Sequence, residues 1–203
     1  MAAVEGVTRA CPQCGSEAFD ALPEYSLPPW QIGECGDCGF VFLRNPPEYK
    51  HLVSEFAGEK TRVARVERRK ARSLFRICAI HARGVDGVKE FPDRYFAGIL
   101  LRSFLKHEKQ PKVLLEQCSR VLTPGGAVHV RVPNDGTLNR GMLGAKWCGF
   151  RYPDQVNYFT TKSFGTMAGD CGLKLRLLNP LRLPLDDHLN AVLQRRDERA
   201  AIA

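Results

Sequence analysis

Two Cys-x-x-Cys-Gly segments, Cys11-Pro12-Gln13-Cys14-Gly15 and Cys35-Gly36-Asp37-Cys38-Gly39, carry the clearest chemistry in the chain. Two residues between paired cysteines let one tight turn aim both thiolates at the same ion. A glycine after each second cysteine can take a left-handed conformation, which lets backbone N–H groups point at sulfur. The 20 residues between the pairs match a four-thiolate zinc ribbon, so Cys11, Cys14, Cys35 and Cys38 are expected to hold one structural Zn2+. Four sulfur ligands leave no open coordination position, and no catalytic role is assigned to the metal. A redox Cys-x-x-Cys would need a strand before it and a helix after it, and neither pair has them. Cys78, Cys118, Cys148 and Cys171 are scattered in apolar contexts and read as core thiols.

The surroundings of the two pairs, from Cys11 to Phe42, are punctuated by Gly and Pro and contain Tyr25, Trp30, Phe40 and Phe42 but no long periodic run. Such a segment needs a staple, and a structural zinc contributes on the order of 10 kcal/mol of folding free energy. The chain as a whole has 203 residues, 44% hydrophobic and 26% charged, enough for one core beside a metal-held module and too ordered in composition for wholesale disorder. No window is apolar enough to span a membrane, and Met1 to Ala10 lacks the apolar stretch of a signal peptide. The expected location is the cytoplasm, where thiols stay reduced and paired cysteines read as ligands before disulfides.

The net charge of +8 concentrates in Lys60, Arg62, Arg65, Arg68, Arg69, Lys70, Arg72, Arg76 and Arg83. Val63, Val66, Leu74, Ile77 and Cys78 recur through this stretch at helical spacing, which predicts an amphipathic helix to about residue 81 with a solvated basic face. The aromatic residues lie elsewhere, so no stacking platform for nucleic acid is apparent. From Phe91 the texture becomes strand, helix, strand, helix, strand. Phe96 to Leu101 reads as a buried parallel strand, Gln110 to Leu122 as a helix, and Thr123-Pro124-Gly125-Gly126 as a turn. Ala127 to Val132 reads as a second strand, Thr160 to Ser163 as the hydroxyl cap of a helix to about Asp170, and Lys174 to Leu178 as the last strand. Alternation of this kind predicts an α/β layer with parallel pairing.

Tyr95-Phe96-Ala97-Gly98-Ile99-Leu100-Leu101-Arg102-Ser103-Phe104-Leu105-Lys106-His107, followed by Arg120-Val121-Leu122-Thr123-Pro124-Gly125-Gly126, resembles the second half of a class I S-adenosylmethionine-dependent methyltransferase. Val132-Pro133-Asn134, Trp147-Cys148-Gly149-Phe150 and the run Tyr152 to Thr160 are similar to members that carry an N-terminal zinc ribbon and act on sugars or other small metabolites. The resemblance covers roughly residues 10–50 and 91–185. It implies an N-terminal zinc ribbon (8–48) and a truncated Rossmann-like methyltransferase domain (91–190), which with the basic helical linker (55–90) read from periodicity make an α/β chain. S-adenosylmethionine and a small-molecule methyl acceptor are the implied ligands. Asp154, or His107 from the other loop, is the implied general base, and Trp147, Tyr152, Tyr158 and Phe159 are implied either as packing or as a lid.

The chain departs from the family in having no Gly-x-Gly-x-Gly, in Ala97 where Asp is usual and in Lys106 where Glu is usual. Between the predicted helix and Phe96 there is no room for strands one to three, so strand four becomes an edge. Its unpaired N–H and C=O groups would be met by a second copy of the chain in a homodimer, by the basic helix, or by aggregation. The alternative reading is a non-catalytic zinc-ribbon binding or scaffold protein for nucleic acid or another protein.

Overall fold

The computed structural model describes residues 8–47, 77–79, 84–151 and 153–196. The two cysteine turns are linked by a small antiparallel sheet, β1 (Phe19–Ala21), β2 (Ile32–Cys35) and β3 (Val41–Leu43), with Phe19 opposite Cys35 and Glu34 opposite Val41. Gly33 is required where β1 crosses β2, because a Cβ there would overlap the Phe19 ring and the Asp20 carbonyl. The sheet does not stop at the cysteine module. A strand from much later in the chain, β7 (Asn157–Tyr158), pairs antiparallel with β3, placing Tyr158 against Val41 and Asn157 against Phe42.

The second sheet has the order β4-β5-β6-β9-β8. Its members are β4 (Ile77–Ala79), β5 (Phe96–Arg102), β6 (Leu122–Pro133), β8 (Leu173–Leu177) and β9 (His188–Arg195). The first three run parallel, and β9 lies antiparallel between β6 and β8. Two expectations need correction here. Residues 77–79 are a strand and do not continue a helix. They also pair with Gly98–Leu100, so β5 is not an edge and its backbone groups over that stretch are met by the chain itself. The rest of the expected basic helix, and the cations Lys60 to Arg76 and Arg83, lie outside the described residues.

Thr123-Pro124-Gly125-Gly126 ends the preceding helix but lies inside β6 as an irregularity, marked by a register shift against Phe96–Gly98. Gly125 takes φ +74° there, and a Cβ on Gly126 would stand 2.9 Å from the Thr123 carbonyl oxygen. A bulge of this kind re-aims the strand without breaking it. β9 was not expected, although Leu189, Ala191 and Leu193 alternate inward along it.

Among the described residues the α-helices are α1 (Gly84–Lys89), α2 (Pro111–Val121), α3 (Leu138–Leu143) and α4 (Thr161–Asp170). Pro111 opens α2 where its missing N–H costs nothing, and Leu114, Leu115, Cys118 and Val121 form its buried stripe. Thr160 and Ser163 form a reciprocal capping box on α4, with Ser163 N donating to Thr160 Oγ1 at 3.1 Å and Thr160 N to Ser163 Oγ at 3.0 Å. One core joins both modules: Cys11, Cys35, Phe40 and Phe42 pack in the same cluster as Leu114, Val128, Phe159 and Phe164. Phe159 is its hinge, meeting Phe40 edge-to-face at 5.4 Å and Phe164 at 5.5 Å.

Candidate functional site

The structure gathers the four cysteines. Gly15 N donates to Cys11 O at 2.8 Å and Gly39 N to Cys35 O at 2.9 Å, so the two turns are built alike. Gly15 and Gly39 take φ +79° and +70°, the left-handed conformation that a Cβ would strain. Cys11 Sγ lies 3.6 Å from Cys38 Sγ and Cys14 Sγ 3.5 Å from Cys35 Sγ, and all four sulfurs are within 4.8 Å of one another. A tetrahedral ion with bonds of about 2.3 Å requires edges of about 3.8 Å, so the donor set fits one zinc-sized ion. Burial pushes the Cys11 thiol up to about 11. At Cys35 burial acts the same way but is outweighed by the N–H groups of Cys38 and Asp37, which hold that thiol below its ordinary value.

A second group forms at the carboxyl ends of β5 and β6. β5 ends at Arg102, and Ser103 turns the chain with φ +57°, its N–H held by Arg131 O at 2.8 Å. Buried Phe104 and Leu105 then anchor a turn closed by His107 N to Phe104 O at 2.9 Å. His107 Nδ1 lies 3.0 Å from Asp154 Oδ1 and 2.5 Å from the Asp154 carbonyl oxygen. Both neighbours are acceptors, so Nδ1 carries a proton and Nε2 of the neutral ring is left as the base. Burial alone would raise the Asp154 carboxyl. The hydrogen bond and charge of His107, with Lys106 and Arg151, hold it below the usual carboxylate value instead. The two segments are stitched together: Val156 N donates to Lys106 O at 2.7 Å, and Asn157 Nδ2 to Leu105 O at 2.7 Å and Glu108 O at 2.6 Å.

Past the end of β6 lies a cleft of about 330 Å³ lined by Asn134, Gly136, Leu138, Thr160, Lys162 and Leu183, among others. Asn134 is one of its walls and is fixed by donating to Leu183 O at 3.0 Å and Asp186 O at 3.1 Å. Next to it, buried Asp135 Oδ1 stands 2.9 Å from Arg140 Nε, an ion pair whose angles are not those of a hydrogen bond. Burial pushes the Asp135 carboxyl up to about 6 against the opposing pull of Arg140. The guanidinium of Arg140 also lies over Tyr25, 4.8 Å from the ring centre, linking the cleft wall to the cysteine module. Asp187 accepts from Trp147 Nε1 at 2.9 Å and Asn139 Nδ2 at 3.2 Å. Leu138 in the cleft lining is exposed, and so are Met142, Leu143, Leu181 and Leu185 elsewhere on the same two segments of chain.

Residues 47–130 match the family described as "Methyltransferase domain". That stretch of the chain is methyltransferase-like. It includes β4, β5, α2 and most of β6, and it brings His107 with it. No curated protein matches the chain. Among solved structures, a methyltransferase from Thermotoga maritima, described as a possible histamine N-methyltransferase, is 14% identical over 72% of this chain and 99% of its own, with a TM-score of 0.48. An S-adenosylmethionine-dependent methyltransferase from Archaeoglobus fulgidus is 10% identical over 57% of this chain and 66% of its own, with a TM-score of 0.44. A Burkholderia thailandensis enzyme, 1,6-didemethyltoxoflavin-N1-methyltransferase, is 15% identical over 54% of this chain and 48% of its own, with a TM-score of 0.39. The chain thus spans less than two thirds of the length of the Archaeoglobus and Burkholderia proteins.

Within and beside the methyltransferase-like stretch, the two candidate bases of the sequence reading come together as one pair. Trp147, Tyr158 and Phe159 are fully buried and act as packing, and Tyr152 lies outside the described residues. Cys118 and Cys171 are buried core thiols as expected, whereas Cys148 is exposed, with Sγ 3.9 Å from Asp187 Oδ2. Asp135, Arg140 and Asp187 were not foreseen. Their signal is local, because each lies in the segments after β6 or before β9 that carry polar residues among loop-forming ones. Among the described residues no glycine-rich turn follows a parallel strand, so no residue is assigned to a methyl donor.

Proposed function

We propose that the protein is an S-adenosylmethionine-dependent methyltransferase-like protein acting on a small molecule, with a structural zinc on Cys11, Cys14, Cys35 and Cys38. The observation that carries this reading is the His107–Asp154 pair, placed at the carboxyl ends of parallel strands in and beside a methyltransferase-like stretch. In open α/β sheets ligands sit beyond those ends.

S-adenosylmethionine supplies, when bound, a sulfonium methyl group for an oxygen, nitrogen or carbon nucleophile. The part of this chain's own residues concerns the acceptor. Asp154 fixes the tautomer of His107, so that Nε2 can take a proton from an acceptor hydroxyl or amine and return it to solvent. The imidazolium so formed is stabilised by the Asp154 carboxylate, which stays ionised because its proton affinity is held down. The cleft by Asn134 and Lys162 offers a concave surface, and exposed Leu138 in its lining favours an acceptor with an apolar portion.

The test is titration calorimetry with S-adenosylmethionine, followed by transfer of labelled methyl to a panel of small hydroxylated and amino metabolites. Heat with a micromolar dissociation constant and transfer that is lost in His107→Gln support the reading. Absence of both overturns it. The second reading, a zinc-ribbon scaffold without catalysis, is favoured by one observation, the lack of any Gly-x-Gly-x-Gly in the chain. Metal binding with no donor binding would select it.

A further inference from the structure

Arg9 is a partly buried cation whose hydrogen bonds all end on neutral oxygens. Its Nε donates to Leu43 O at 3.0 Å, Nη1 to Lys109 O at 2.8 Å, and Nη2 to Val156 O at 2.5 Å and Asn157 Oδ1 at 3.1 Å. Among the described residues it forms no ion pair. Burial lowers its proton affinity, and nearby negative charge, first at Cys11 and also at Glu108, opposes that. Arg9 lies two residues before Cys11, and four thiolates around a divalent ion form a dianion, which would supply that charge.

The same side chain reaches three segments. Leu43 ends the strand that leaves the cysteine module, Lys109 follows His107, and Val156 and Asn157 follow Asp154. Asn157 relays the link by donating to Leu105 O at 2.7 Å and Glu108 O at 2.6 Å, on either side of His107. Arg9 also lies over Phe42, 5.4 Å from the ring centre, and its own N–H donates to Arg44 O at 2.9 Å, so its backbone is pinned to the module as well.

We propose that Arg9 is a positioning residue that transmits the order of the metal-bound cysteine turns to the His107–Asp154 pair. This rests on the zinc and the pair proposed above. Releasing the metal would free the Cys11 turn, slacken Arg9 and let the two segments drift apart, without touching either member of the pair.

The experiment uses the full chain, isotope-labelled, with zinc content measured on every sample. In the zinc-bound wild type the His107 Nδ1–H, held between two acceptors, is expected to exchange slowly with water. In Arg9→Met, with zinc retained, its exchange is expected to quicken by about tenfold or more, and chelation of the wild type should do the same. Arg9→Lys, keeping charge but losing the fork, should fall between. Zinc retained in Arg9→Met with His107 exchange changed by less than about twofold overturns this inference alone. A wild-type chain that takes up no zinc overturns it together with the metal site proposed above. Should Arg9→Met fail to fold, amide exchange decides in the wild type. Chelation is expected to speed Val156 and Asn157 about tenfold more than Val192 and Leu193 in β9, and a uniform change or none overturns the inference.

Discussion

His107 Nδ1 stands 3.0 Å from Asp154 Oδ1, although 47 residues separate the two in the chain. The bond joins the turn after β5 to the loop before β7, so it is made only when the cysteine-module sheet and the parallel sheet are both in place. If His107 acts as base, His107→Gln and Asp154→Asn should each lower kcat for methyl transfer by about 10²- to 10⁴-fold. Donor affinity should stay within a few-fold. Equal losses in affinity and turnover would show that the pair shapes the site without moving a proton.

The same bond sets the titration of Asp154. Its folded proton affinity is depressed, so it contributes stability that is complete above the unfolded value of about 3.9 and is lost as pH falls through the lower folded value. Carbon-detected titration of the carboxyl should place its midpoint below that of free aspartate. In His107→Ala the midpoint should rise, since the donor and its charge are gone. A midpoint that does not move would mean that His107 leaves the carboxylate untouched.

Removal of metal should act far beyond the cysteines, because Cys11 and Cys35 belong to the core that contains Leu114 and Phe164. One zinc per chain is expected by elemental analysis. Cys35→Ser should abolish its retention and lower thermal stability by several kcal/mol, on the order of what a structural site contributes in small domains. An apo chain that melts with the zinc-bound chain would exclude a structural metal.

The cysteine turns were legible because their residues are fixed by geometry that repeats within five positions, and β5, α2, α4 and β8 because their apolar periods are unbroken. The pairing of His107 with Asp154 was not legible, since each was a separate candidate and their loops are joined by tertiary bonds from Val156 N to Lys106 O and from Asn157 Nδ2 to Leu105 O and Glu108 O. β4 was masked by composition. Ile77 and Cys78 continue the apolar spacing of a basic run, and what makes Ile77–Ala79 a strand is the open flank of β5, a tertiary demand that no local pattern carries. Thr123 to Gly126 read as a turn for the same reason, because a bulge differs from a turn only in having a neighbour strand to rejoin.

Gly149 is a site where one methyl group should displace a buried indole. A Cβ there would overlap the six-membered ring of Trp147, which is itself buried and donates to Asp187. Gly149→Ala should therefore displace the indole, cost about 1–3 kcal/mol as overpacking does, and shift Trp147 emission to longer wavelength. In Trp30→Phe, which leaves Trp147 as the remaining tryptophan, the shift can be assigned directly. Unchanged stability and emission would show that the loop around Gly149 yields freely.

Asp135 gives a pH dependence of the opposite sign to Asp154. Its folded value, raised to about 6 by burial, lies above the unfolded value, so the fold favours the protonated form. Its contribution to stability is complete below about 4 and is lost as pH rises through 6. Loss of metal at low pH would obscure this in the wild type alone, so the comparison is with Asp135→Asn, which loses metal over the same range but lacks the titrating group. Between pH 7.5 and 5 the wild type should gain about 1 kcal/mol on the variant in urea unfolding. Arg140→Met, which removes the charge opposing burial, should push the Asp135 midpoint higher still. If the two proteins instead keep a constant stability difference across that range, Asp135 does not titrate there, and the cleft wall beside it is open to water.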